Sequence, residues 1–169
     1  IEFYKECKKA GIKPIIGVEM YIAKRSMQDR NPEYDKIRYH LTLLARNNSG
    51  YKNMMRMVTL GYTEGFYYKP RVDKATLEKH ADGIVCLTGC PGSEFVQLLK
   101  NKKEGEAREL LDFYIKIYGK ENVFLEIMAH DEIDWYVPLI EKIKSISEEY
   151  QMPLVGTWDS HYLDEDDKD

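Results

Sequence analysis

Apolar positions recur along this chain with two periods, close to two and close to 3.6, and their alternation predicts strands separated by helices. Ile1 to Ala10 carries Phe3, Tyr4 and Cys7 between lysines and glutamates, with Gly11 as a stop, and reads as the back half of an amphipathic helix. Pro14 to Ala23 reads as a buried strand passing into alternation, and His40 to Ala45 as a second strand. The polar stretch between them, Lys24 to Arg38, holds the Asn31-Pro32 turn signal and is a loop. Asn47-Asn48-Ser49-Gly50 ends the second strand and starts a helix to about Tyr62, with Met54, Met55 and Val58 as its apolar stripe and Met57 as further core filling. A short helix follows over Lys74 to Ala81.

The second half continues in the same way. Strands are predicted over Gly83 to Leu87, Val123 to Met128 and Leu154 to Thr157. Helices are predicted over Ser93 to Lys100, Glu104 to Tyr118 and Ile133 to Tyr150. Such alternation implies an α/β fold with a mostly parallel sheet, either doubly wound or closed into a barrel. No repeat or linker interrupts it, and the acidic run Asp164 to Asp167 either caps a further helix or marks a cut end.

Candidate chemistry gathers at one place on that map. Cys90 follows the third strand, His130 the fourth, and Asp159 and His161 the fifth, each just past a strand's C-terminal end, where parallel α/β folds build their sites. Glu19 falls inside a strand and His40 begins one, so both reach that edge only if local geometry cooperates. Imidazole, carboxylate and one thiolate suit Zn, Mn or Fe, and several such ions together activate water and clamp a phosphate oxygen. Asp159-Ser160-His161 is the sharpest local piece, because residues two apart on an extended segment face the same way.

Plainer readings compete with each of these. Cys86 sits in an apolar strand as a small core residue, and His80 ends an exposed helix. His130 beside Asp131 and Glu132 reads equally as a surface residue and stands behind the others as a ligand. Gly89-Cys90-Pro91-Gly92 serves as a plain strand-to-helix turn with Ser93 as N-cap. In Gly65-Phe66-Tyr67-Tyr68-Lys69-Pro70-Arg71, Lys69 and Arg71 among aromatics can hold a phosphate or DNA, or the loop simply packs its rings.

Composition narrows the class. With 169 residues and 43% apolar content the chain builds one sizeable core, and 25 basic against 29 acidic residues leave a net charge of −4, which argues against a main duplex-binding surface. Three cysteines in a Lys- and Glu-rich chain point to a reducing compartment, the cytoplasm, and no apolar run approaches the roughly 18 residues of a membrane span.

Several ordered segments now identify a resemblance: Gly11 to Glu19, Tyr39 to Asn47, Gly50 to Asn53, Tyr62 to Asp73, Thr88 to Cys90, and Asp159 to Leu163. Together they closely resemble the N-terminal PHP (polymerase and histidinol phosphatase) domain of bacterial DNA polymerase III α subunits, nearly end to end. That resemblance implies a distorted (β/α)7 barrel with a trinuclear site of divalent metals, Zn, Mn or Fe, at its strand ends. The family's ligand positions fall on Glu19, His40, Cys90, Asp159 and His161, with Asp159 and His161 as catalytic candidates. The family's remaining ligands, a His-x-His motif and an Asp-His pair, belong upstream of Ile1. Residues 1–169 are therefore expected to be a partial domain lacking its N-terminal strand or strands, and to show neither DNA hydrolysis nor primer extension alone.

For the parent protein the resemblance implies DNA-directed DNA polymerase activity, with Mg at a polymerase site elsewhere. DNA, a proofreading subunit and a sliding clamp are the implied partners. The domain's own implied role is a metal-dependent 3′–5′ exonuclease or pyrophosphatase. Alternatives are a free-standing phosphatase of the histidinol-phosphate type and a metal-free scaffold that binds a proofreading subunit.

Overall fold

The computed structural model describes residues 1–130, 132–158, 160, 162 and 164–167. Five strands, β1 (Gly17–Ala23), β2 (Arg38–Ala45), β3 (Ile84–Leu87), β4 (Val123–Met128) and β5 (Leu154–Thr157), form one sheet in the order of the chain. Six helices accompany them: α1 (Glu2–Lys9), α2 (Asn48–Thr63), α3 (Lys74–Lys79), α4 (Glu94–Lys100), α5 (Glu104–Tyr118) and α6 (Val137–Tyr150). β2 pairs antiparallel with both β1 and β3, while β3, β4 and β5 pair in parallel, so β2 alone runs against the rest.

A doubly wound sheet reverses its strand order at a switch point and covers both faces with helices. Neither holds among the described residues. The order never reverses, and the core draws on one parity of the strand residues: Met20 and Ile22, Leu41 and Leu43, Ile84 and Cys86, Val123 and Leu125. Helix residues meet this face, including Met54 and Met57 of α2, Phe95 and Leu99 of α4, Leu111 and Tyr114 of α5, and Ile143 and Ile146 of α6. Sequential order with helices on one face is the wall of a barrel, here five strands long, and β1 and β5 do not pair with each other. The outer edge of β1 is partly covered by the segment before α3, where Val72 N–H donates to Tyr21 O at 2.9 Å and Ala23 N–H to Val72 O at 2.8 Å.

Caps set the helix boundaries. Asn47, Asp73 and Ser93 accept from the backbone N–H three residues on, at 3.0, 2.9 and 3.2 Å, and so start α2, α3 and α4. The largest shifts from the sequence reading are the starts of β1 and α6. β1 begins at Gly17, and Pro14 to Ile16 lie outside it. α6 begins at Val137, because Ile133 to Tyr136 form turns and Pro138 occupies the first helical turn, where its missing N–H costs nothing. Met55 is also corrected: it is 45% exposed while Met57 is fully buried. The buried face of α2 runs through Gly50, Asn53, Met54, Met57 and Gly61, and Met55 lies a helical step off that stripe.

Candidate metal centre

The opposite parity of the sheet carries the polar side chains. By register Glu19 lies beside Thr42, and Tyr21 beside His40. Thr42 in turn faces Leu87, Leu87 faces Phe124, and Glu126 faces Val155. Because side chains alternate, Glu19, His40, Thr42, Glu126 and Thr157 share the face that the helices leave uncovered.

The reversal of β2 brings His40 to the site. A residue near the start of a strand would lie at the wrong edge of a parallel sheet. Running antiparallel, β2 starts where β1 and β3 end, so His40 meets the turn that follows β3. His40 Nδ1 stands 3.1 Å from Glu19 Oε1 and 3.3 Å from Cys90 Sγ. Ligand atoms of Glu19, His40 and Cys90 all fall within 4.8 Å of one another, on side chains that are exposed or half-buried, open to an ion from solution. Tyr21 supports the imidazole at 5.2 Å between ring centroids, and the Arg38 guanidinium lies 5.2 Å from the Tyr21 ring centroid.

The turn that delivers Cys90 is tightly specified. Gly89 has φ +96°, open to glycine, and a Cβ there would approach the Ser93 Cβ to 2.6 Å and His40 O to 3.0 Å. A Cβ on Gly92 would press on the His40 ring, 3.2 Å from Nδ1 and 3.3 Å from Cε1. Backbone pairing continues the contact, with His40 N–H donating to Gly92 O at 3.2 Å. The turn therefore both caps α4 through Ser93 and positions Cys90.

Asp159 and His161 lie outside the described residues. His130 follows β4 but does not join the cluster; its Nδ1 pairs with Glu132 Oε1 at 2.7 Å and its ring lies edge-on to Tyr136. Cys86 is fully buried in the core, where desolvation pushes its thiol well above the ordinary range. Lys69 is exposed. Arg71 corrects its sequence reading: at 1% exposure its guanidinium donates to the carbonyls of Gly65 (3.2 Å), Asp35 (2.7 Å), Met27 (3.0 Å) and Asp29 (3.0 Å). It ties the 24–38 loop to the 65–71 turn and has no face left for a phosphate.

Sequence reasoning missed Glu126. It is 1% exposed in the middle of β4; Thr157 Oγ1 donates to its Oε1, and Oε2 meets no partner among the described residues. Burial raises its pKa, the Thr157 hydroxyl, the Gly89 N–H and the Thr42 hydroxyl pull it down, and the Glu19 carboxylate raises it again; the net direction is upward. The signal available was an acid amid the apolar run Val123 to Met128, at the parity opposite Val123 and Leu125. Shape marks this region weakly: a hollow of about 220 Å³ has Glu19 in its wall, while hollows of about 480 and 490 Å³ beside α1 and between α2 and α3 hold none of the candidate ligands.

Comparison with known proteins fits this architecture. The PHP domain family matches residues 1–130. The DNA polymerase III subunit alpha of Borreliella burgdorferi is 40% identical over 168 residues, that of Treponema pallidum 39% over 170, and that of Thermus aquaticus 37% over 169. Each alignment covers 99% of this chain and 14% of the relative, so the chain spans about one seventh of those proteins' length. The match over most of the chain, the one-sided sheet in sequential order and the acid, imidazole and thiol at its strand ends agree with one another, and the chain belongs to the PHP domain family.

Proposed function

We propose that this chain is the metal-binding PHP module of a bacterial replicative DNA polymerase α subunit, and that Glu19, His40 and Cys90 hold a divalent ion together with Asp159 and His161. The convergence of the first three within 4.8 Å carries the reading, since they come from three separate parts of the chain and no local motif would assemble them. The donor set fits a borderline ion such as Zn, or Fe or Mn, better than Mg, because thiolate and imidazole are poor partners for a hard cation. Bound there, such an ion would polarise a phosphate oxygen and acidify a water, the chemistry of phosphoester or pyrophosphate hydrolysis.

The chain's own residues prepare that site. Glu19 lies 3.1 Å from the imidazole Nδ1, and Gly92 leaves the ring room at its Nδ1 and Cε1 edge. In the longer protein, nucleotidyl transfer with Mg belongs to another region, and DNA, a proofreading subunit and a sliding clamp are its partners in the cytoplasm. Among the described residues no helix is long and apolar enough to cross a membrane. The relatives carry this sequence within much longer chains, which favours the polymerase module over a free-standing phosphatase.

Metal analysis of the protein after dialysis against Zn and Mn tests the reading. Bound metal that falls on Cys90→Ser and on Asp159→Ala supports it. A folded protein that retains no ion at micromolar metal would leave the scaffold role.

A further inference from the structure

The uncovered face of the sheet holds one buried acid that this reading does not use. Glu126 is held at two points, and a third bond ties its strand to the same turn. Its N–H donates to Thr88 Oγ1 at 3.0 Å, Thr88 N–H donates to Phe124 O at 3.0 Å, and Thr157 Oγ1 donates to its carboxylate. Thr88 stands two residues before Cys90, and Thr157 ends β5 two residues before Asp159. The residue thus ties the turn that carries Cys90 to the end of β5.

A plain strut between β4 and β5 would need only one acceptor for the Thr157 hydroxyl, and glutamine would supply it. Glutamate instead buries a second oxygen, Oε2, that completes no hydrogen bond among the described residues, although the Gly89 N–H and the Thr42 hydroxyl lie close enough to lower the carboxyl's pKa, and it feels the Glu19 carboxylate across the face. A buried carboxylate oxygen short of full hydrogen bonding is costly and calls for a reason to be kept. We propose that Glu126 is a positioning residue of the metal site, fixing the Thr88–Cys90 turn and the end of β5 against Glu19 and His40, with Oε2 completing its hydrogen bonding only when the site is filled. The inference rests on the metal-site reading above and adds a residue to it.

Cobalt(II) titration of the purified chain separates the two claims, because thiolate-to-cobalt absorption reports Cys90 directly and the ligand-field bands report geometry. Glu126→Gln keeps size and the Thr157 partner, and is expected to weaken cobalt binding about 10- to 100-fold and to shift the ligand-field bands. Thr157→Val should act in the same direction by less, with Thr157→Ser close to the unsubstituted chain. If Glu126→Gln fails to fold by circular dichroism, the Thr157 pair decides. Unchanged affinity and bands in Glu126→Gln and Thr157→Val would overturn the inference and leave the metal site standing. A folded chain with no thiolate–cobalt absorption would overturn both.

Discussion

The same five strands present two unlike faces. One is sealed: Leu41, Leu43, Cys86, Val123 and Leu125 are each fully buried against α2, α4, α5 and α6. The other carries Glu19, His40, Thr42, Glu126 and Thr157, and its Glu19 and His40 side chains keep 46% and 32% of their surface open. Alternation along a strand builds both at once, so stability and chemistry occupy neighbouring residues but separate environments. The sealed face holds the backbone rigid, and the open face inherits that rigidity for placing ligand atoms.

Substitutions should respect the division. The largest effect is expected on the sealed face, where Leu43→Ala or Met57→Ala removes a fully buried side chain and lowers unfolding free energy by about 2–5 kcal/mol. Met55→Ala, two residues earlier on the exposed side of α2, should stay within about 0.5 kcal/mol. Urea unfolding of the three variants measures the contrast, and equal losses at Met55 and Met57 would mean that the helix is rotated from the position described. Arg71→Lys comes next. It strands carbonyls that the guanidinium now serves, and a loss on the order of 1–3 kcal/mol with loosening of the 24–38 loop in hydrogen exchange is expected.

On the open face the readout changes from stability to affinity. Gly92→Ala places a methyl 3.2 Å from His40 Nδ1, so the ring must give by a few tenths of an ångström. Bound zinc should fall several-fold on that shift while the urea midpoint stays near that of the unsubstituted chain. A large stability loss with unchanged metal would show that Gly92 serves the fold and not the ligand.

The sealed face was legible in the sequence because it follows period alone: Leu41 and Leu43, or Val123 and Leu125, need only alternation and bulk to be placed. Helix starts at Asn47 and Ser93 were readable for a related reason, as capping is a local contact between neighbours. The site was harder. Glu19, His40 and Cys90 are adjacent only because β2 runs backward between β1 and β3, a pairing that no local pattern encodes; the family resemblance, not spacing, put them on one list. Arg71 went astray for the opposite reason. Cations among aromatics resemble a phosphate loop, and only the fold shows four backbone carbonyls enclosing the guanidinium. Glu126 was passed over because one acid in an apolar strand looks like an interruption until the parity of its neighbours is known.

A smaller effect, read through pH, separates two kinds of partly or fully buried acid. Glu126 has one oxygen that completes no hydrogen bond among the described residues, whereas Asp73, ahead of α3, has both occupied: Oδ1 accepts from Thr76 N–H at 2.9 Å and Thr76 Oγ1 at 2.7 Å, and Oδ2 from Met27 N–H at 3.0 Å. Burial alone would raise the Asp73 pKa, but these donors, with the Met27 N–H foremost, outweigh it and hold the carboxyl below its ordinary value. A carboxylate depressed in the folded state stabilises above its unfolded pKa of about 3.9, and that contribution disappears as pH falls through the folded value. Asp73→Ala should therefore lower stability by about 1 kcal/mol at pH 7, and by less at pH 3, where the unsubstituted chain has begun to lose the same contribution. Asp73→Asn keeps a good capping side chain and should lie between the two at pH 7, with a flatter dependence below pH 5. Urea midpoints at the two pH values check this directly. A penalty for Asp73→Ala that is the same at both would mean that the cap acts through shape and not through charge.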